Sequence, residues 1–82
     1  MPMNIYEHDF IAECPVNGEK VGYHLRIESQ SKILVEQIME RCAVGVAFHE
    51  DLADALLDWF GGRQEMHAYH HGVWITTIRG DA

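Results

Sequence analysis

An α+β fold of order ββααββ is what the chain's periodicities predict. Two stretches of alternating apolar residues come first, then two with apolar residues three and four apart, then two more that favour strands. Two hairpins joined by two helices should pack those helices on one face of a four-stranded, mostly antiparallel sheet, because each helix must bury its apolar stripe. With no repeat, low-complexity segment or linker, residues 1–82 are read as a single domain.

The first strand covers residues 4–14, with Tyr6, Phe10, Ala12 and Cys14 on one parity and Ile5 and Ile11 on the other. Pro15 has no N–H for a ladder, so the strand should stop at or near Cys14. Asn17-Gly18 then signals a hairpin, since both residues take positive φ cheaply. The return strand, 20–28, turns Val21, Tyr23, Leu25 and Ile27 one way and Gly22, His24, Arg26 and Glu28 the other. Ser31 offers an N-cap for a helix over 32–44 whose stripe is Leu34, Val35, Ile38, Met39 and Cys42. A short apolar connection, Ala43–Ala47, leads to a second helix at 50–60. Its buried stripe is Leu52, Ala55, Leu56, Trp59 and Phe60, and Glu50 and Asp51 suit the positive end of its dipole. Gly61-Gly62 ends it. The last hairpin has arms at 64–71 and 73–79 with His71-Gly72 as the turn.

Thirteen acidic residues against six basic ones give a formal charge of −7, which argues against direct binding to nucleic acid. The same charge would suit plain solubility, a basic protein partner or imitation of a phosphate backbone. No apolar run approaches the roughly 18 residues a membrane-spanning helix needs. The first residues carry no basic segment followed by an apolar one, and two cysteines make no disulfide framework. A reducing, cytoplasmic setting is the expectation. A chain this small has a thin stability margin, so self-association would be a natural supplement.

Three groups of residues could carry chemistry. Cys14, held beside a proline and a turn, could be a nucleophile if a cation, base or helix N-terminus activates it; His8, His24 and His49 are the candidates. Taken alone it reads more readily as a structural, half-buried cysteine, and Cys42, on a helix stripe, reads as a small core residue. Phe48-His49-Glu50-Asp51 opens the second helix, where a carboxylate beside a histidine can work as acid or base or hold the N–H edge of a heterocycle. Helix-dipole and capping chemistry would use the same residues. In His67-Ala68-Tyr69-His70-His71, strand parity puts His67 and His71 on one face and His70 on the other. Without a companion ligand motif these histidines read as solvent-facing or interface residues and no metal is expected. Tyr69 and Trp74 read as packing or interface aromatics.

Two of these stretches together resemble a family. Asp9-Phe10-Ile11-Ala12-Glu13-Cys14-Pro15-Val16-Asn17-Gly18 is similar to the nucleophile segment of the 7-cyano-7-deazaguanine reductases, and Phe48-His49-Glu50-Asp51-Leu52-Ala53 to their second signature. That family belongs to the tunnelling fold, or T-fold, whose module is ββααββ. The resemblance spans residues 9–79 and implies that Cys14 is a nucleophile adding to a nitrile to give a thioimide. It also implies that Glu50 anchors a purine-like ring with Phe48 and His49 beside it, and that NADPH is the reductant. T-fold sites form between subunits, so a ring-shaped homo-oligomer is implied as well. The sequence departs from the family in having Val21 where a proton-donating aspartate stands, with Glu19 the nearest downstream carboxylate. It also lacks lysines in Val35-Glu36-Gln37-Ile38-Met39-Glu40-Arg41, where the cofactor motif would fall, and the family's Arg-Gly-Gly-like turn is reduced to His71-Gly72.

Two functions follow as expectations. One is a T-fold protein that binds a purine- or pterin-like heterocycle, with covalent chemistry at Cys14 and acid–base help from His49. The other is a non-enzymatic acidic binding protein, of the phage anti-defence or nucleic-acid-mimic kind, acting on a basic protein partner. A histidine-based metal protein is a distant third.

Overall fold

A computed structural model describes residues 2–81. The elements are β1 (Asn4–Glu13), β2 (Lys20–Ser29), α1 (Val35–Cys42), α2 (His49–Phe60), β3 (Arg63–His70) and β4 (Val73–Arg79). The strands form one sheet in the order β1-β2-β3-β4, every neighbour antiparallel. This is the ββααββ, α+β layout the periodicities predict. No helix among the described residues is long and apolar enough to cross a membrane.

Strand β2 is the centre of the core because its odd-numbered residues alternate cleanly. Val21, Tyr23, Leu25 and Ile27 are buried on the helix side, and Ala12 from β1 and Met66 and Ala68 from β3 lie on the same face. Ile38 and Cys42 of α1 and Leu52, Ala53 and Leu56 of α2 close over them. Fully burying a side chain such as Leu25, Ile27, Leu56 or Met66 stabilises by about 1.5–3 kcal/mol. Burial pushes the Cys42 thiol up to about 11, so it is an inert core residue, as its stripe position suggests. On the opposite face Arg26 and Arg63 pair with Glu28 and Glu65 at 2.7–3.8 Å, a four-charge grid that keeps this side of the sheet polar.

Both helices differ from expectation. Helix α1 starts at Val35, not residue 32, and Ser31 does not cap it. The Ser29 hydroxyl instead closes a local turn, accepting from Ser31 N–H and donating to Ser31 C=O, both at 3.0 Å, while Ile33 N–H donates to the Tyr6 hydroxyl. A helix of eight residues beside the edge strand cannot bury a five-residue stripe, so Leu34, Val35 and Met39 are exposed. In α2, Ala53 and His49 are buried where Trp59 was expected, and the Trp59 ring is covered by the Arg41 guanidinium, 3.1 Å from its centroid.

The first reversal is also not the expected Asn-Gly hairpin turn. Gly18 N–H donates to Cys14 C=O at 2.9 Å and Cys14 N–H to Glu19 C=O at 2.8 Å, with Gly18 alone at positive φ. A six-residue loop results, braced by Glu19 N–H donating to Asn17 Oδ1. The second hairpin turns at His71-Gly72 as expected, with φ of 52° and 79°.

Two buried polar side chains tie α2 to the sheet. Gln64 donates from Nε2 to Leu56 C=O (3.0 Å) and Gly61 C=O (2.9 Å), one carbonyl near the end of the helix and one just beyond it. His49, only 5% exposed, donates its Nε2–H to Met66 C=O of β3, with Thr77 Oγ1 of β4 also at 3.1 Å. Burial, the largest influence, holds its pKa below the ordinary histidine value and keeps the ring neutral.

Two outcomes follow for stability. A Cβ at Gly62 (φ +70°) would lie 2.3 Å from Glu28 C=O, whereas at Gly72 (φ +79°) the nearest atom is the Tyr69 hydroxyl at 3.8 Å. Gly62→Ala should therefore cost on the order of 2–4 kcal/mol and Gly72→Ala only about 1–2, measured by denaturant unfolding. Because His49 is depressed, the unfolded chain binds its proton more readily, and His49 stabilises fully above pH 6.5 and progressively less below it. His24 has the opposite sign, raised by Asp9 and then Glu7. The difference between wild type and His49→Gln isolates the first effect: it should shrink from pH 7 to pH 5 by up to about 1.4 kcal/mol per unit.

Candidate functional site

The site is built by a backbone tie. Glu13 N–H donates to Gly45 C=O at 2.7 Å and Ala47 N–H donates to Glu13 C=O at 3.2 Å, making a parallel bridge between Glu13 and Val46. This lays the α1–α2 connection along the end of β1. Glu13 immediately precedes Cys14, and Ala47 immediately precedes Phe48, so the tie sets the thiol beside the start of α2.

A cleft of about 360 Å³ opens there. Cys14, Phe48, His49 and Glu50, the four residues singled out in the sequence, all line it. Cys14 is 8% exposed, Phe48 is about half exposed, and Glu50 is exposed in the first turn of α2, where the free N–H groups favour a negative charge. Tyr23 forms part of the wall. Burial raises the pKa of its phenol, and the negative charges of Cys14 and Glu50 raise it further, which marks all three as electrostatic neighbours.

His49 sits deeper than a surface acid–base residue would. Its Nε2 is committed to β3 and β4, and its ring meets Tyr23 edge-on at 5.3 Å between centroids. With Nε2 carrying the proton, Nδ1 presents a lone pair, and that buried atom has no partner among the described residues. The neutral ring can thus still accept a hydrogen bond at Nδ1, which is buried. The other two histidines considered for Cys14 lie elsewhere. His8 stacks on Phe10, and His24 is on the open face of the sheet, held by Glu7 and Asp9.

The histidine expectation fails in one respect. His67 faces the open side, bonded to Thr76, and does not pair with His71. His70 and His71 instead converge at the cleft rim, their ring centroids 4.5 Å apart, because His71 leaves the strand with positive φ. Glu19 meets both, at 3.4 Å from His70 Nε2 and 3.0 Å from His71 Nε2. Val21, at the position of the family's aspartate, is buried in the wall and offers no proton. Tyr23, His70 and His71 were missed as site residues. The inward parity of Tyr23 was legible, but that its wall borders an opening was not.

No protein-family model matches the chain, and no curated protein matches its sequence. Among solved structures, the chain is similar to one described as the crystal structure of the archaeosine synthase QueF-Like in the apo form. The TM-score is 0.74, with 12% identity, over 96% of this chain and 92% of that one. At that identity the likeness is one of fold. The chain folds as the QueF-Like archaeosine synthase does, in the T-fold arrangement that its two motifs and its ββααββ order anticipate.

Proposed function

We propose that the chain binds a flat nitrogen heterocycle of the 7-deazaguanine or pterin type in the cleft, where the Cys14 thiol can add to an electrophilic carbon of the ligand. The observation that carries this reading is the convergence of Cys14, Phe48 and Glu50, from segments far apart in the chain, on one cleft of about 360 Å³, within the size range of small-molecule sites. A nearly enclosed thiol facing a carboxylate suits a ligand that offers an electrophile at one end and N–H donors at the other. In this scheme Glu50 accepts from the N–H edge and Phe48 lies against the ring. The fold shared with an archaeosine synthase supports the same ligand class.

For a nitrile ligand, sulfur bonds to the nitrile carbon, one carbon–nitrogen π bond opens, and the thiol proton ends on the nitrile nitrogen, leaving a thioimide. No net electrons move. In this scheme His49, which lines the same cleft and whose Nδ1 has no hydrogen-bond partner among the described residues, takes the thiol proton and passes it on once its ring approaches the Cys14 sulfur. Reduction by NADPH does not fit. In Val35–Arg41 the only cation is Arg41, which is spent on the Trp59 ring, and Glu36 and Glu40 would oppose phosphates.

A homo-oligomer accompanies this reading. Among the described residues, β4 and, up to the Glu13 tie, β1 have a free edge, and the open face exposes Ile11, Tyr69 and Trp74, the last at 73%. The same face, on a chain of charge −7, supports a second reading, docking of a basic protein partner. If no protein is retained from a host lysate at physiological salt, that second reading is lost.

Incubation with 7-cyano-7-deazaguanine should raise the intact mass of the wild-type chain by one ligand per subunit. Cys14→Ser should abolish the adduct, and Glu50→Gln should weaken calorimetric binding by about tenfold or more, equivalent to at least about 1.4 kcal/mol. No adduct together with no heat of binding would remove this ligand class.

A further inference from the structure

We propose that Glu19, His70 and His71 form a binding site for a divalent transition-metal ion of the zinc class, at the rim of the Cys14 cleft. The site owes its existence to the β3–β4 turn. Along a regular strand, successive side chains diverge to opposite faces, so two adjacent histidines could not share a ligand. His71 is the only non-glycine among the described residues with positive φ, at 52°, and that conformation folds its imidazole back beside His70. A two-residue hairpin turn of this kind requires positive φ at both of its residues, so the turn itself sets this conformation.

The second hairpin supplies only two ligands; the third comes from the loop after β1. Glu19 Oε2 lies 3.4 Å from His70 Nε2 and 3.0 Å from His71 Nε2, and the three ligand atoms all fall within 4.8 Å of one another. Zinc bonds imidazole nitrogen and carboxylate oxygen at about 2.0–2.2 Å, so ligands of a tetrahedral ion stand roughly 3.3–3.6 Å apart. The spacing found is that of a site needing only small side-chain adjustments.

The neighbouring contacts point the same way. Asn17 Oδ1 accepts from Glu19 N–H, which turns the Asn17 amide nitrogen toward His71 Nε2 at 2.6 Å. The same Nε2 lies 3.0 Å from Glu19 Oε2, so the Asn17 amide and the Glu19 carboxylate converge on one ring nitrogen of His71. A metal ion seated between His71 Nε2 and Glu19 Oε2 would take the place of the Asn17 amide. His70 Nε2 is shielded from solvent and makes no hydrogen bond of good geometry, so a metal bond there would displace no existing hydrogen bond. Two imidazoles and one carboxylate favour zinc, cobalt or nickel over magnesium or calcium, which prefer all-oxygen shells. Three protein ligands leave at least one coordination position open, and His70 and His71 line the same cleft as Cys14.

The test is titration of the purified, metal-stripped full chain with cobalt(II) and zinc(II), without any heterocycle, so that it stands or falls separately from the ligand reading. Cobalt is expected to bind at one equivalent per chain with the visible absorption of a four- or five-coordinate ion, and zinc to displace it. His70→Ala and Glu19→Gln should each weaken binding at least tenfold, while His24→Ala and His67→Ala, on the other face, should leave it unchanged. His71→Gly separates a ligand from a structural residue: it relieves the turn, so the metal-free chain should unfold at the same temperature or higher, yet metal affinity should fall at least tenfold and zinc should no longer raise the unfolding temperature. Binding weaker than millimolar, or binding indifferent to His70→Ala and His71→Gly, would overturn the site.

Discussion

The pair of backbone hydrogen bonds between Glu13 and the Gly45–Ala47 segment is the constraint on which the site depends. Without it, the end of β1 and the start of α2 would be joined only through the far side of the sheet, by way of β2 and α1. With it, the residue following Glu13 and the residue following Ala47 are neighbours, and a thiol and a helix N-terminus open on the same space. Gly45 makes the approach feasible, since its φ of +77° turns the connection back to offer its carbonyl to Glu13. The tie is local and cheap, two hydrogen bonds, but it is braced from below. His49 fixes the start of α2 to β3 and β4 and Gln64 fixes its end to β3, so the helix start is held from its other side as well.

His49 shows how one residue can serve packing and chemistry through different atoms. Its Nε2–H is consumed by the Met66 carbonyl, which fixes the tautomer, and that choice leaves Nδ1 as an acceptor on the ring's remaining polar edge. Burial that would be a penalty for a charged imidazole keeps this one neutral over the range where a thiol needs a base. Cys14 and Cys42 contrast in the same way. Cys42 is sealed among Leu and Ile with its thiol pushed up to about 11, while Cys14, nearly as buried, stands in the wall of an opening.

Much of the fold was legible because alternation and helical spacing report burial directly. Val21, Tyr23, Leu25 and Ile27 face the core as their parity demands, and His71-Gly72 turns where it should. Helix α1 was less legible. Its five-residue stripe looks like a buried face, but stripe length says nothing about how much partner surface is available, and only Ile38 and Cys42 find any. Ser31 could not be excluded as a cap from sequence, because the competitor was the hydroxyl of Ser29 two residues away. In the site, Cys14, Phe48, His49 and Glu50 were readable from two short motifs. Glu19 with His70 and His71 was not, since strand parity sends adjacent side chains apart and only the left-handed turn residue reverses that rule.

The cleft's walls come from three reversals of the chain: the Cys14–Glu19 loop, the Ala43–Phe48 connection and the β3–β4 turn. A domain of this size has its regular elements committed to burying one face of one sheet, leaving little interior from which to build a pocket. Loops tied to rigid strand ends supply what the core cannot, and each of the three is fastened by a specific bond: Cys14 to Glu19 and Gly18, Glu13 to Gly45 and Ala47, and His71 to Glu19 and Asn17. The last of these fastens one hairpin turn to the other, so the rim that carries Glu19, His70 and His71 closes the same opening that Cys14 and Glu50 face. A thiol in the wall, an exposed carboxylate at the start of α2 and an imidazole pair at the edge thus share one opening.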